Sequence, residues 1–259
     1  MGNIKIERTV ALLKRIAADF APAAFASSLG AEDMVLLDLI AKNAPEIEAF
    51  SLDTGRLPEE TYALIRKVAD GFPIRLRIYF PESRDVEAFV ELRGINGFYD
   101  SVEARKACCH ARKVLPLKRA LVGKKAWVTG LRREQAATRA NLAEQEEDAD
   151  NGLVKFNPLI DWTEEDVWNY IREHHVAYNR LHDRSYPSIG CAPCTRAIAK
   201  GEDIRAGRWW WERPDQKECG LHIRGAATDP LTGGSPESPD GSGRDRRETH
   251  ENPPRSHDS

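Results

Sequence analysis

The chain has 259 residues, with 38 basic and 41 acidic side chains and a formal net charge of −3. A chain of this length buries a full core in about one to two domains and needs no disulfides to fold. Its balanced charge excludes a global basic field for nucleic acid, and no run approaches the roughly 18 apolar residues of a membrane span.

The opening Met1-Gly2-Asn3-Ile4-Lys5-Ile6-Glu7-Arg8 is polar and lacks the apolar stretch of a secretory signal. A soluble cytoplasmic protein with reduced thiols is the expectation. From Ile6 to Phe20, apolar residues at Ile6, Val10, Leu13, Ile16 and Ala17 follow a helical period. Strand-like and helix-like runs then alternate. Ala23–Leu29 reads as a buried strand, Glu32–Lys42 as a helix and Ile47–Leu52 as a strand. Pro58–Asp70 reads as a helix opened by its proline, and Ile74–Phe80 and Trp127–Thr129 as further strands. This βαβα order predicts an α/β fold, a mostly parallel sheet with helices on both faces.

Ligands bind such sheets beyond the carboxyl ends of the strands. Three segments fall there: Ser27-Ser28-Leu29-Gly30-Ala31-Glu32-Asp33, Leu52-Asp53-Thr54-Gly55 and Gly130-Leu131-Arg132-Arg133-Glu134-Gln135. Ser27 and Ser28 precede a glycine turn and a helix start, where hydroxyls and unpaired N–H groups take an anion or simply cap the helix. No Gly-Lys-Ser/Thr follows, so this is not a P-loop. Asp53 and Thr54 suit a ribose or adenine edge as well as a turn. Arg132, Arg133 and Arg139 suit phosphate or sulfate oxygens, with an exposed charged helix as the alternative. Further on, Glu144–Asp150 reads as a solvated acidic loop, and Thr163–Asp166 as a capping box opening a helix that runs to about His174.

Five cysteines fall into three groups: Cys108-Cys109, Cys191-x-x-Cys194 and the lone Cys219. An adjacent pair is a poor zinc ligand set, because zinc sites space their first two thiolates about two to four residues apart. An iron–sulfur cluster takes four thiolates at separate corners, so a 4Fe-4S cluster on Cys108, Cys109, Cys191 and Cys194 fits the spacing better. A structural zinc site and buried or disulfide-bonded cysteines are the alternatives. Cys219 is then left as a nucleophile, with Lys217 two residues before it and Arg205 and Arg208 upstream to stabilise a thiolate or a substrate anion. The consecutive Trp209, Trp210 and Trp211 read as packing, and His110, His174, His175 and His182 form no metal-like group.

The final 35 residues carry seven acidic and four basic groups, five prolines and five glycines, with Leu231 the only large aliphatic. Such a tail buries too little to offset its ordering entropy, so 225–259 is expected to be disordered and 1–224 to form a single domain ending in the 213–224 segment.

Five motifs in this order resemble the assimilatory adenylyl-sulfate (APS) and phosphoadenylyl-sulfate (PAPS) reductases. They are Leu52-Asp53-Thr54-Gly55, Cys108-Cys109 with Lys113 beyond, Gly130-x-Arg132-Arg133-x-Gln135, Cys191-x-x-Cys194 and Glu218-Cys219-Gly220-Leu221-His222. The resemblance runs from about residue 20 to 222. It implies an adenine-nucleotide α-hydrolase-like fold, thioredoxin as reductant and release of sulfite. It assigns catalysis to Cys219, His222 and Lys113, and substrate contacts to Ser27, Ser28, Asp53, Thr54, Arg132, Arg139, Arg205 and Arg208. Members with the four cluster cysteines prefer APS, which makes APS the expected substrate, with dual APS/PAPS use as the alternative. Related enzymes also often form homo-oligomers. An ATP pyrophosphatase of the same fold is disfavoured because Ser28-Leu29-Gly30-Ala31-Glu32-Asp33 lacks the second glycine and terminal serine of its loop. A non-enzymatic iron–sulfur redox sensor leaves Cys219 and the arginines without a role.

Overall fold

The computed structural model describes residues 2–135, 139, 141–213 and 217. Cys219, His222 and the 225–259 tail lie outside the described residues, as does most of the 213–224 segment.

Among the described residues the strands are β1 (Ala23–Ser27), β2 (Glu48–Leu52), β3 (Leu76–Tyr79), β4 (Ala126–Val128), β5 (Gln145–Asp148) and β6 (Leu153–Phe156). They form one sheet in the order β3-β2-β1-β4-β6-β5, parallel throughout except for the antiparallel β5–β6 pair. Chain order reverses between β1 and β4, and this switch point opens a crevice beyond their carboxyl ends. The expected α/β architecture is therefore the observed one.

The two-residue period of each strand divides the core. Ala23 and Phe25 of β1, Ala49 of β2, and Ala126 and Val128 of β4 face one layer. That layer is built from Leu13 and Ile16 of α1 (Gly2–Asp19), Met34 and Leu37 of α2 (Ala31–Asn43), Leu64 and Val68 of α3 (Glu59–Gly71), and Val167 and Ile171 of α7 (Glu164–Glu173). Ala24, Phe50 and Trp127 face the other side, against Leu117, Ala120 and Leu121 of α6 (Leu115–Leu121). A smaller apolar cluster joins Phe89 of α4 (Ser83–Arg93) and Ala107 of α5 (Val102–Cys109) to Phe98 and Trp209.

Three sequence expectations are corrected. Pro58 is the N-cap of α3 rather than its first helical residue, and its extended φ and ψ of −62° and 153° suit that position. The acidic Glu144–Asp150 segment is not a loop, because Gln145–Asp148 pairs in register with Leu153–Phe156 as an edge strand. Its charge is accommodated locally: Glu146 meets the buried Lys155 at 2.9 Å, and Asp148 accepts from Trp127 Nε1 at 2.9 Å. The third correction adds α4, α5 and α6, none of which was singled out. α5 and α6 are joined by a π-helical turn, His110–Val114. Pro116 sits in the first turn of α6 and has no N–H to donate backward, which favours a break in regular α spacing just before it.

No helix among the described residues is long and apolar enough to cross a membrane. The capping box that opens α7 is present as read: Thr163 Oγ1 accepts from Asp166 N at 3.1 Å, and Thr163 N donates to Asp166 Oδ2 at 2.7 Å. Replacing Thr163 with Ala removes one acceptor from an exposed helix start, so urea unfolding should register a loss of about 1 kcal/mol. An unchanged midpoint would show that the box contributes nothing to α7.

Candidate active site

A cavity of about 750 Å³ opens at the switch point, walled by the ends of β1, β2 and β4, the start of α2 and the 185–209 segment. Ser27, Ser28, Thr54, Lys113, Arg132, Arg139, Arg205 and Arg208 all line it, so eight of the expected site residues come together. Asp53 does not line it. Its carboxylate accepts from Gly55 N at 2.7 Å and from Tyr62 Oη at 2.9 Å, which closes the turn after β2.

The loop after β1 is held by a residue that sequence reading passed over. Asp33 Oδ2 accepts from both the N–H and the hydroxyl of Ser28, each at 2.6 Å. Ser27 Oγ accepts from Leu29 N at 3.2 Å, and Leu29 takes a left-handed φ of 62° between these two anchors. On the β4 side, a Cβ on Gly130 would lie 2.1 Å from Asp33 Oδ1, so glycine is required for the two loops to approach. Burial pushes the Asp33 carboxyl up to about 6, against the hydrogen bonds from Ser28, which favour the charged form. The available signal was an acidic residue in the first turn of a helix, directly behind a serine loop.

Arg132 lines the cavity but is largely committed. Its Nε and Nη2 donate to Glu32 Oε1 at 3.0 and 2.8 Å, and its Nη1 donates to Glu134 Oε2 at 2.8 Å and Trp162 O at 3.3 Å. Glu134 Oε2 also accepts from Glu164 N at the start of α7. Arg132 thereby ties three loops together, a structural duty in addition to the substrate contact expected of it. Arg133 turns outward to Asp161 and Leu142 O. Arg139 is held by Gln135, whose Oε1 also accepts from Arg132 N.

Two more cations enter from the segment after Cys194. A bridge between Thr195 and Arg208 and an Arg196 N to Gly207 O hydrogen bond of 2.9 Å close this loop at its base, and the Arg196–Glu202 pair braces it. Arg205 Nη2 donates to Lys217 O at 2.7 Å, which ties the loop to the residue two before Cys219. Arg208 is buried, and its guanidinium fills the space where Gly190 has no side chain.

A second, small pocket adjoins the first. Cys108, Cys109, Cys191 and Cys194 all line it, together with Arg56, Arg105, Arg112 and Lys113. The four cysteines form no disulfide among the described residues and are buried. Burial pushes the Cys108 thiol up, and burial with the neighbouring Cys191 pushes Cys194 up to about 12. Thr54 Oγ1 lies 3.2 Å from Cys191 Sγ, and Arg112 Nη1 donates to Thr54 O at 2.7 Å. Lys113 and Thr54 therefore stand on the wall between the two pockets.

The model of the phosphoadenosine phosphosulfate reductase domain matches residues 22–197. The chain belongs to this family. Within it, the chain is 56% identical over 215 residues to adenosine 5'-phosphosulfate reductase of Allochromatium vinosum, covering 83% of this chain and 84% of that one. It is 54% identical over 219 residues to the protein of the same name from Burkholderia cepacia, covering 85% and 88%. Among solved structures, phosphoadenylyl-sulfate reductase from Candida auris superposes with a TM-score of 0.62 at 31% identity, over 73% of this chain and 90% of that one. FMN adenylyltransferase of Candida glabrata, at 14% identity and a TM-score of 0.55, shares the fold alone. This family membership and the sheet order together give the adenine-nucleotide α-hydrolase-like fold expected from the sequence.

Asp33 carries a pH signature. Its folded pKa stands above the ordinary 3.8, so the folded state binds the proton more tightly, and its contribution to stability falls as pH rises from 3.8 to about 6. Asp33→Asn removes this titration. Denaturant unfolding should show the wild type losing stability relative to the variant over that window, on the order of 2 kcal/mol. Parallel pH profiles for the two proteins would contradict the buried-carboxyl assignment.

Proposed function

We propose that this chain reduces adenylyl sulfate to sulfite and AMP, with thioredoxin as the electron donor and Cys219 as the nucleophile. The observation that carries the reading is the shared wall: Lys113 lines both a nucleotide-sized, cation-lined cavity and the pocket of four thiols. A cavity of this volume at a switch point suits an adenylyl group, and Lys113, Arg139, Arg205 and Arg208 supply charge for the phosphosulfate.

The chemistry follows from the residue types. The Cys219 thiolate attacks the sulfur of the phosphosulfate, the bond from sulfur to the bridging oxygen breaks, and AMP departs with that electron pair. Cys219 is left as an S-sulfocysteine. A thioredoxin thiolate then attacks the Cys219 sulfur, sulfite leaves with the electrons of the S–S bond, and a mixed disulfide forms. The second thioredoxin thiol resolves it, so the dithiol supplies both electrons and Cys219 is regenerated. Cationic side chains offset the charge that develops on the departing phosphate, while Lys217 and His222 flank the nucleophile in sequence.

The four thiols fit a 4Fe-4S cluster. They come from two pairs on separate elements and surround one pocket, and burial favours the neutral thiol at Cys108 and Cys194 unless a metal takes them as thiolates. The adjacent Cys108-Cys109 pair disfavours zinc, whose first two thiolates are normally spaced about two to four residues apart. When bound, the cluster supplies a structural and electrostatic element beside the phosphosulfate. Lys113 links that pocket to the substrate, and Thr54 orients Cys191.

Anaerobic sulfite release with thioredoxin, comparing APS and PAPS at equal low concentration, tests the reading. Strong preference for APS is expected. Comparable rates would instead assign dual specificity, and no sulfite from either substrate would sink the proposal. Cys219→Ser should abolish sulfite while keeping the brown chromophore, whereas Cys108→Ala should lose both. Truncation after Arg224 should leave turnover nearly intact, and a large loss would place the tail in the catalytic machinery.

A further inference from the structure

A fully buried ion pair lies beside the thiol pocket without a role in the chemistry above. Arg105 of α5, three residues before Cys108, donates from Nε to Glu212 Oε1 at 2.9 Å and from Nη2 to Oε2 at 2.7 Å. The two side chains are 0% and 3% exposed. A fork-to-carboxylate pair this deep is costly to desolvate, and apolar packing would stabilise the same space at least as well. Its geometry therefore calls for another explanation.

That explanation lies in Trp209. The Arg105 guanidinium stands 4.6 Å from the centroid of the Trp209 ring, and the Arg208 guanidinium 4.5 Å from it. Trp209 is 1% exposed, and its backbone takes a left-handed φ of 41°, which an aromatic residue rarely adopts. Two hydrogen bonds hold that conformation: Trp209 N to Cys194 O at 3.1 Å, and Glu212 N to Trp209 O at 2.8 Å. Glu212 thus acts twice, gripping the Trp209 backbone with its N–H and Arg105 with its carboxylate. It also neutralises one of the two cations that share the indole. Without it, Arg105 would repel Arg208 across a low-dielectric interior.

We infer that Arg105 and Glu212 are positioning residues that act through Trp209 to fix the Arg208 guanidinium in the nucleotide cavity. The inference rests on the reading of Arg208 as a contact for the substrate anion. It adds that the orientation of this contact is set from the thiol-bearing helix α5, on the far side of Trp209. Arg208 has little freedom to find that orientation alone, because its guanidinium threads the gap at Gly190, where a Cβ would lie 2.3 Å from Nη2.

A double-mutant cycle on sulfite release from adenylyl sulfate tests this, using Glu212→Gln, Arg208→Ala and their combination in the full chain. Each single variant should lower kcat/KM by about tenfold or more, as expected for a lost or misdirected charge-assisted contact. If Glu212 acts through Arg208, the combination should fall no further than Arg208→Ala alone, within about twofold. Losses that multiply would overturn the inference, since a merely structural Glu212 damages the enzyme independently of Arg208. Should Glu212→Gln fail to fold, the paired replacement Arg105→Met with Glu212→Leu removes the clamp while leaving no buried charge unpaired, and the same cycle applies. An Arg208→Ala enzyme with wild-type kcat/KM would instead remove Arg208 from the substrate site, a different failure from that of the coupling.

Discussion

Between the ends of β1 and β4 there is room for one carboxylate, that of Asp33, and the cavity takes its shape from it. The carboxylate holds the N–H and hydroxyl of Ser28 on one side and crowds Gly130 on the other. The serine loop, the left-handed Leu29 and the close approach of the Gly130 loop all follow from this one buried group. Its burial works against its charge, and three hydrogen bonds, two from Ser28 and one from the Gly130 backbone, offset part of that cost. The switch point supplies a crevice in any sheet of this order, and Asp33 makes it a defined site.

Around that centre, cationic side chains brace loops and line the cavity at the same time. Arg132 lines the cavity while pairing with Glu32, Glu134 and Trp162 O, and Arg133 pairs with Asp161 outside it. Cations reach the cavity from more than one direction: Lys113 of the π turn, Arg132 and Arg139 after β4, and Lys200, Arg205 and Arg208 from the loop following Cys194. An anion bound among them meets charge from elements that are far apart in sequence, which favours a specific pose over general attraction.

Much of this was legible in the sequence, because the relevant signals were local. Two-residue and 3.6-residue periods gave β1 to β4, α1 to α3 and α7, and the Thr163 box marked the start of α7 to the residue. Motif order gave the four thiols and the cations around the cavity. The losses came where long-range contacts decide the outcome. Glu144–Asp150 has the composition of a loop, yet backbone pairing with β6 and the Glu146–Lys155 contact make part of it a strand. Asp53 has the residue type of a ribose ligand, and its Oδ1 also accepts from Gly55 N and Tyr62 Oη, partners that its own segment does not announce. Asp33 closes one of the site segments without standing out in it, Arg105 and Glu212 carry no motif, and the importance of all three emerges only once burial brings their partners beside them.

The π turn between α5 and α6 has a consequence for the rotational phase of the two helices. One turn of π-helix holds one more residue than an α turn, so the axis continues while every side chain beyond is offset by about 100°. α5 thus presents Cys108 and Cys109 to the thiol pocket while α6, beyond the π turn, presents Leu117 and Leu121 to the sheet. Removing one residue between His110 and Val114 would restore regular winding and force a choice between those two facings. The spacing between the adjacent cysteines and Pro116 is therefore a fixed length in this fold, even though no side chain in the turn itself is needed to set it.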